Sequence, residues 1–244
     1  MRTRYFLICW VVLTGIHVHS QQVPVLYKGE MRALHRGGNA LAAVQVDSIL
    51  TPATYAVGPV AGLQGEIFVW EGRPFVAAVM GTAKKPFVKK DVQQLKAVFL
   101  VYAHVPAWDT LRVALSAGNM RQLELELAII AARHGMDTLQ PFPFLLLGEI
   151  ASGKGHIVFA DVPTAAIEPG SIERYKHFNS IQQQKAQLVG FYSQQHAGIY
   201  THHNSYLHIH YRMYNKYQAG HLDEVAFDGK TTVLLLLPRT RKDQ

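Results

Sequence analysis

The sequence predicts a mixed α+β protein with two sheet-containing halves and a few packing helices. Three observations lead to this fold class. Short apolar runs broken by glycine and proline fill the first half, two segments carry apolar residues at helical spacing, and further short runs follow residues 140–144. Short apolar runs bounded by turn residues are typical of strands, and longer periodic segments are typical of helices. Elements of both kinds must pack in layers to bury their apolar faces.

The first 20 residues have the pattern of a secretory signal peptide. Arg2 and Arg4 precede an apolar run over residues 5–16, and residues 18–20 fit the pattern before a cleavage site. A membrane anchor is the weaker alternative, because this run is shorter than the roughly 20 residues that cross a bilayer. The single cysteine, Cys9, lies in this segment, so the mature chain has no disulfide. We expect a secreted or periplasmic protein with no membrane association after cleavage.

The charge of the chain argues against a nucleic-acid partner. The formal net charge is +7, and removal of Arg2 and Arg4 leaves about +5. The basic residues are scattered, and no basic stripe is interleaved with aromatic residues. This mild positive charge favours instead a small anionic substrate.

Residues 21–140 predict an N-terminal domain of sheet and helix. Apolar runs at 67–70 and 74–79 flank Glu71-Gly72, a tight-turn signal, so residues 66–79 are expected to form a hairpin. A helix is expected to begin at Asn119, with Gln122 three residues later, and to end at Gly135.

Residues 141–244 predict a C-terminal β-rich domain that binds a metal, and the proline-containing tract at 140–144 marks the boundary. One helix is expected here, from Ser171 to Lys185, because Ile172, Tyr175, Phe178 and Ile181 share a helical face. The remaining apolar runs predict strands at 145–147, 157–159, 188–192 and 232–237.

Three histidines near the C-terminus predict the metal site. His208 and His210 alternate along an apolar run, so in a strand their side chains point to the same face. The segment 213–220 is short enough to reverse the chain, which would bring His221 beside them on an antiparallel strand. Three imidazoles leave positions on a metal ion open for a substrate. Because the chain has 13 histidines, a surface hairpin that carries histidines by chance is the alternative.

The order of these motifs resembles that of α-acetolactate decarboxylases. The resemblance is carried by Leu63-Gln64-Gly65-Glu66, by Leu188-Val189-Gly190-Phe191, by His208-Ile209-His210 and by Gly220-His221. It implies that His208, His210 and His221 bind a divalent metal ion, and that Glu66 lies on or beside the metal. Zinc is the metal that the resemblance favours, and three imidazoles also suit other divalent transition metals.

The resemblance implies a decarboxylase that converts a 2-hydroxy-3-keto acid such as 2-acetolactate to acetoin and carbon dioxide. The metal would act as a Lewis acid on the hydroxyl and ketone oxygens and would stabilise an enediolate. Glu66 would then donate the proton, which requires a raised pKa of its carboxyl group. The resemblance also implies a homodimer.

Two groups of the family pattern are missing. The family arginine on the strand before a glycine corresponds to the apolar stretch 144–147, and the tail 237–244 contains no glutamate. Arg212, just past the histidine strand, is the predicted catalytic replacement, and Lys154 and His156 are alternatives. His202 and His203 could carry a proton or support a ligand, although loop positions are the simpler interpretation.

Three other functions remain open on the sequence alone. The site could act as a lyase or isomerase on another keto or hydroxy acid. It could be a hydratase of the carbonic anhydrase kind or a cupin-like metal site, in which Glu66 would lie far from the metal. It could also belong to an exported, non-catalytic metal-binding or ligand-binding protein, with every coordination position filled by the protein.

Overall fold

A computed structural model describes residues 22–214 and 218–240 of the chain. The predicted signal peptide lies outside these residues. Within them, no helix is both long enough and apolar enough to cross a membrane. The described chain contains fourteen strands and two α-helices, which confirms the mixed α+β class.

The first sheet has six antiparallel strands in the order β1-β8-β3-β4-β5-β6. The predicted hairpin at 66–79 is confirmed, because its two strands pair across the turn at Glu71-Gly72. The strands of this sheet are β1 (Leu26–Lys28), β3 (Thr54–Pro59), β4 (Glu66–Trp70), β5 (Arg73–Met80), β6 (Lys85–Lys90) and β8 (Leu100–His104). A two-stranded ribbon of β2 (Val44–Gln45) and β7 (Lys96–Ala97) and a short helix, α1 (Met31–His35), complete this part.

The second sheet also has six strands, in the order β11-β12-β13-β10-β14-β9. Two 17-residue strands dominate it, and they also pair with each other along almost their whole length. The extra pairing closes a ring of β10, β11, β12 and β13. The strands are β9 (Trp108–Ala114), β10 (Phe142–Val158), β11 (Lys176–Tyr192), β12 (Leu207–Met213), β13 (Ala219–Ala226) and β14 (Thr232–Pro238).

The predicted helix after Asn119 is confirmed as α2 (Met120–Arg133). The Asn119 side chain accepts a hydrogen bond from the backbone N–H of Gln122 at 3.0 Å, and the Gln122 side chain accepts one from the N–H of Gly118 at 2.6 Å. The first bond satisfies an N–H group that the helix leaves without a partner, and the second fixes the chain just before the helix.

The predicted helix from Ser171 to Lys185 is wrong. Only Ser171–Tyr175 forms a short 3-10 helix, and β11 begins at Lys176. Local apolar spacing favoured a helix, but β10 offers a continuous partner strand, and its register runs from Val158 opposite Lys176 to Phe142 opposite Tyr192. Long-range pairing of this kind overrides weak local preference.

The two sheets pack against each other and share an apolar core. One side contributes Tyr55, Val57, Phe68 and Val101, and the other contributes Leu145, Val189 and Phe191. The chain changes sheet between His104 and Trp108, since β9 already belongs to the second sheet. The division into domains at residue 140 stays a prediction. The candidate site lies where β4 of the first sheet faces β12 and β13 of the second.

Candidate active site

The three predicted histidines converge on one buried point. His208 and His210 alternate along β12, and His210 pairs directly with His221 on β13, as the sequence predicted. The Nε2 atoms of His208 and His210 are 3.2 Å apart, and one nitrogen from each of the three rings lies within 4.8 Å of the others. All three side chains are buried. A surface hairpin with chance histidines is therefore not what the chain forms.

Two glycines allow the strands to approach closely enough for this arrangement. A Cβ atom on Gly220 would lie 2.4 Å from the carbonyl oxygen of His156, and one on Gly155 would lie 2.6 Å from that of His221. Real Cβ atoms do not approach an oxygen so closely, so any larger residue would separate β10 from β13. Close packing of β10 and β13 thus explains why a glycine, Gly220, precedes His221 in the sequence motif.

Burial keeps the imidazoles neutral. It lowers the pKa of His210 to about 3, and it lowers the pKa values of His208 and His221 well below the ordinary value. Burial also lowers the pKa of the nearby His202 to about 4. Neutral imidazoles with converging nitrogen lone pairs are the donor set that a divalent transition metal requires. The residues present therefore fit such an ion.

Glu66 reaches the histidines from the opposite sheet. Its Oε2 atom lies 3.7 Å from Nε2 of His210, and its Oε1 atom accepts a hydrogen bond from the backbone N–H of Val158 at 3.1 Å. The side chain is 3% exposed, and burial raises the pKa of its carboxyl group to about 8. The structure thus places the predicted glutamate beside the histidines, and not at a solvated hairpin edge.

The segment before Glu66 is joined to the end of β10. The N–H of Ala160 donates to the carbonyl oxygen of Leu63 at 2.8 Å, and the side-chain amide of Gln64 donates to the carbonyl oxygen of Ala160 at 2.8 Å. Gly65 must be small, because a Cβ there would lie 2.2 Å from the carbonyl oxygen of Ala77. These contacts hold the start of β4 against the histidine strands.

His156 adds a fourth imidazole to the site. It stands opposite His221 in the β10–β13 register, so His210, His221 and His156 form a row across three neighbouring strands. Its Nδ1 atom is 2.8 Å from both carboxylate oxygens of Asp223. His156, His221 and Asp223 form a second group whose ligand atoms lie close enough for a metal ion.

His202 lies at the edge of the same cluster. Its Nε2 atom is 3.0 Å from Nε2 of His221, although it comes from the loop before β12. That loop is held by the buried carboxylate of Glu124 on α2, which accepts hydrogen bonds from the Ser205 hydroxyl at 2.6 Å and from the Tyr206 N–H at 2.8 Å. The neighbouring His203 is exposed.

The histidines and Glu66 line a cavity of about 390 Å³, including its open mouth. Apolar side chains form most of the remaining wall. They are Met31, Leu34, Pro59, Phe99, Val158 and Ile172. Lys176 also lines the cavity, and the sequence alone did not indicate it, because Lys176 fell inside the predicted helix. No pattern within that segment signals its pairing with β10.

Arg212 lies elsewhere. Its guanidinium is 3.9 Å from the centre of the Phe75 ring, and its Nε donates to the side-chain oxygen of Gln187 at 3.0 Å. These residues line a separate cavity, and Arg212 is not among the described residues that line the histidine cavity. Its catalytic role stays a prediction from the sequence. Lys154, another suggested replacement, has its ammonium 4.0 Å from the ring centre of Phe178.

Comparison with known proteins gives a structural likeness only. No protein-family model matches the sequence, and no curated protein matches it. A solved structure of acetolactate decarboxylase from Bacillus subtilis strain 168 has a TM-score of 0.70 at 11% identity, with coverage of 89% of this chain and 86% of that chain. The enzyme from Bacillus subtilis subspecies spizizenii gives 0.69 at 12% identity, with coverage of 89% and 87%.

A third solved structure comes from Staphylococcus aureus and is described as similar to α-acetolactate decarboxylase. It has a TM-score of 0.67 at 15% identity, with coverage of 89% of this chain and 86% of that chain. At identities this low, the structural similarity supports a common fold, and the function must be argued from the residues of the site. The chain therefore has the fold of the acetolactate decarboxylases.

Proposed function

We propose that the protein is a metal-dependent carboxy-lyase of the acetolactate decarboxylase type, which converts a 2-hydroxy-3-keto acid such as 2-acetolactate to acetoin and carbon dioxide. His208, His210 and His221 hold the metal ion, and zinc is the expected metal. One observation carries the proposal: the Glu66 carboxyl lies 3.7 Å from Nε2 of His210. A hydratase would not need a carboxyl group at this place.

The protein's own groups match the needs of the reaction. A bound divalent ion supplies a Lewis acid for the hydroxyl and ketone oxygens of the substrate. When the bond to carbon dioxide breaks, its electron pair stays on the substrate, and a proton must be added there. Glu66 can hold that proton, because burial raises the pKa of its carboxyl to about 8. The Val158 N–H orients the carboxyl.

The test is turnover by the mature protein after zinc loading. Racemic acetolactate should yield carbon dioxide and acetoin, and the H208A/H210A double variant should lose both bound metal and activity. Glu66→Gln should retain zinc and lose at least a hundredfold in kcat, since general acid catalysis contributes roughly 10²–10⁴-fold. His203→Gln is the matched control, because this side chain is exposed. Zinc-replete protein without turnover would eliminate the acetolactate assignment.

One observation favours a second candidate, a non-catalytic metal-binding protein. Nε2 of His202 lies 3.0 Å from Nε2 of His221, close enough for a fourth imidazole to fill a coordination position. The visible spectrum of the cobalt-substituted protein distinguishes the two candidates. Addition of a 2-hydroxy acid changes the spectrum if positions are open, and leaves it unchanged if four protein ligands complete the shell.

Export and dimerisation are also part of the proposal. Residues 1–20 have the signal-peptide pattern, and the resemblance in sequence motifs implies a homodimer. Mass spectrometry of the exported chain should find an N-terminus near residue 21. Light scattering of the purified mature protein should give twice the monomer mass.

A further inference from the structure

Lys176 is placed beside the reacting groups by the pairing of β10 and β11. It stands directly opposite Val158, and the N–H of Val158 donates to Glu66. Side chains of directly opposed residues in an antiparallel pair lie on the same face of the sheet. Lys176 and Val158 accordingly line the same cavity as Glu66 and His210.

Lys176 brings a fixed positive charge to that cavity. The other described residues that line the cavity are apolar, or are histidines, or are Glu66. The Lys176 side chain is only 12% exposed, and a buried ammonium needs an anionic partner. Its partner is the Glu173 carboxylate, whose Oε1 lies 2.6 Å from Nζ. The Glu173 side chain is 61% exposed on the short helix before β11, so it can return to water at small cost.

We infer that Lys176 is the binding group for the substrate carboxylate, and that Glu173 occupies the Lys176 ammonium while the cavity holds no substrate. The inference rests on the proposed function. An ammonium–carboxylate bond in a water-poor cavity is among the stronger polar contacts. It selects substrates with a free carboxylate over their esters. Acetoin has no carboxylate, so this bond does not retain the product.

If Lys176 binds the substrate carboxylate, its substitution should raise KM and not lower kcat. The carboxylate loses its charge as carbon dioxide forms, so Lys176 binds the ground state at least as well as the transition state. Interactions of that kind lower KM without raising kcat. Lys176→Gln should therefore raise KM for acetolactate tenfold or more, with kcat unchanged or increased.

A binding experiment tests the inference without turnover. The zinc-loaded protein is titrated in a calorimeter with 2,3-dihydroxy-2-methylbutanoate, a stable analogue, and with its methyl ester. Lys176→Gln should weaken binding of the acid at least tenfold and binding of the ester less than twofold. Lys176→Arg should restore tight binding of the acid. Lys185→Gln is the matched control, because that lysine lies on the same strand, is exposed and is not among the described residues that line the cavity.

Glu173→Gln separates binding from structural support. If Glu173 competes with the substrate, this variant binds the acid as tightly as the wild type or more tightly. If the Lys176–Glu173 pair only supports the fold, Lys176→Gln and Glu173→Gln both weaken binding of the acid and of the ester to the same extent. That result would overturn the inference. Equal binding of the acid by Lys176→Gln and the wild type would also overturn it, while the proposed function would stand. Wild-type protein that binds neither probe would refute both.

Discussion

The metal-free protein should lose stability steeply in mild acid, because its buried imidazoles must take up protons on unfolding. The pKa of His210 is about 3 in the folded chain and 6.5 in the unfolded chain. At 1.36 kcal/mol for each pKa unit, this difference is worth on the order of 5 kcal/mol. The contribution is fully present above pH 6.5 and is lost as the pH falls from 6.5 towards 3. His202, His208 and His221 contribute with the same sign, because burial lowers their pKa values too.

Glu66 has the opposite effect on the free energy of unfolding, which it lowers as the pH rises. Its carboxyl keeps a proton in the folded chain up to pH 8, whereas the unfolded chain releases that proton near 4.5. The contribution of Glu66 to stability therefore falls as the pH rises from 4.5 to 8. Below pH 6.5 the four histidines outweigh this one carboxyl. The two effects balance near pH 7, where each unfolded histidine is about one quarter protonated, and the Glu66 contribution costs about 1 kcal/mol more by pH 8. The metal-free protein should be most stable near pH 7.

Urea unfolding of the chelator-treated mature protein, followed by tryptophan fluorescence between pH 4.5 and 8.5, measures this profile. His210→Gln should reduce the slope below pH 6.5 by roughly 1.4 kcal/mol for each pH unit, since one proton fewer is bound on unfolding. His203→Gln should leave the slope unchanged, because this neighbour is exposed. A free energy of unfolding that is constant between pH 5 and 7 would refute the reasoning, as would equal slopes for the two variants.

Three further predictions concern stability and metal binding. Glu124→Ala should lower the free energy of unfolding by about 2–3 kcal/mol, because it leaves the Ser205 hydroxyl and the Tyr206 N–H without their acceptor, and urea unfolding measures this. Gly220→Ala should cost more than about 2 kcal/mol and weaken zinc binding in a competition titration, because its Cβ would meet the His156 carbonyl. Zinc at a hundred times its Kd should raise the free energy of unfolding by about 2.7 kcal/mol, as a pH 7 urea titration can show.

Each of these predictions has an outcome that contradicts it. Glu124→Ala with wild-type stability would mean that the loop is held by other contacts. Gly118→Ala is the control for Gly220→Ala, because Gly118 has no left-handed backbone and a Cβ there meets only the flexible Gln122 side chain. If both alanine variants cost the same, close approach of β10 and β13 is not the reason for Gly220. If zinc does not shift the unfolding curve, the folded protein does not bind zinc more tightly than the unfolded chain does.

The histidine hairpin shows what could be predicted from local sequence. Strand alternation placed His208 and His210 on one face, and a short reversal placed His221 beside them, because both rules involve only neighbouring residues. The hairpin at 66–79 and the helix after Asn119 followed from local signals in the same way.

The wrong helix at 171–185 shows where local reasoning ended. The spacing of Ile172, Tyr175, Phe178 and Ile181 was compatible with a helix. Nevertheless, β10 provided a partner for nearly every residue from Lys176 to Tyr192. No pattern within the segment reports the presence of a distant strand. The same error concealed Lys176, since a residue on a supposed helix could not be assigned to the cavity.

By itself the sequence determined the fold class, the strand that carries His208 and His210, and the identity of the groups available for chemistry. Tertiary structure alone decided which of those groups meet. It brought Glu66 across from the other sheet, placed His156 opposite His221, and directed Arg212 onto Phe75 in a separate cavity. The physical reason is that alternation and turn rules act over a few residues, whereas the site forms where two sheets pack through contacts between residues far apart in the chain.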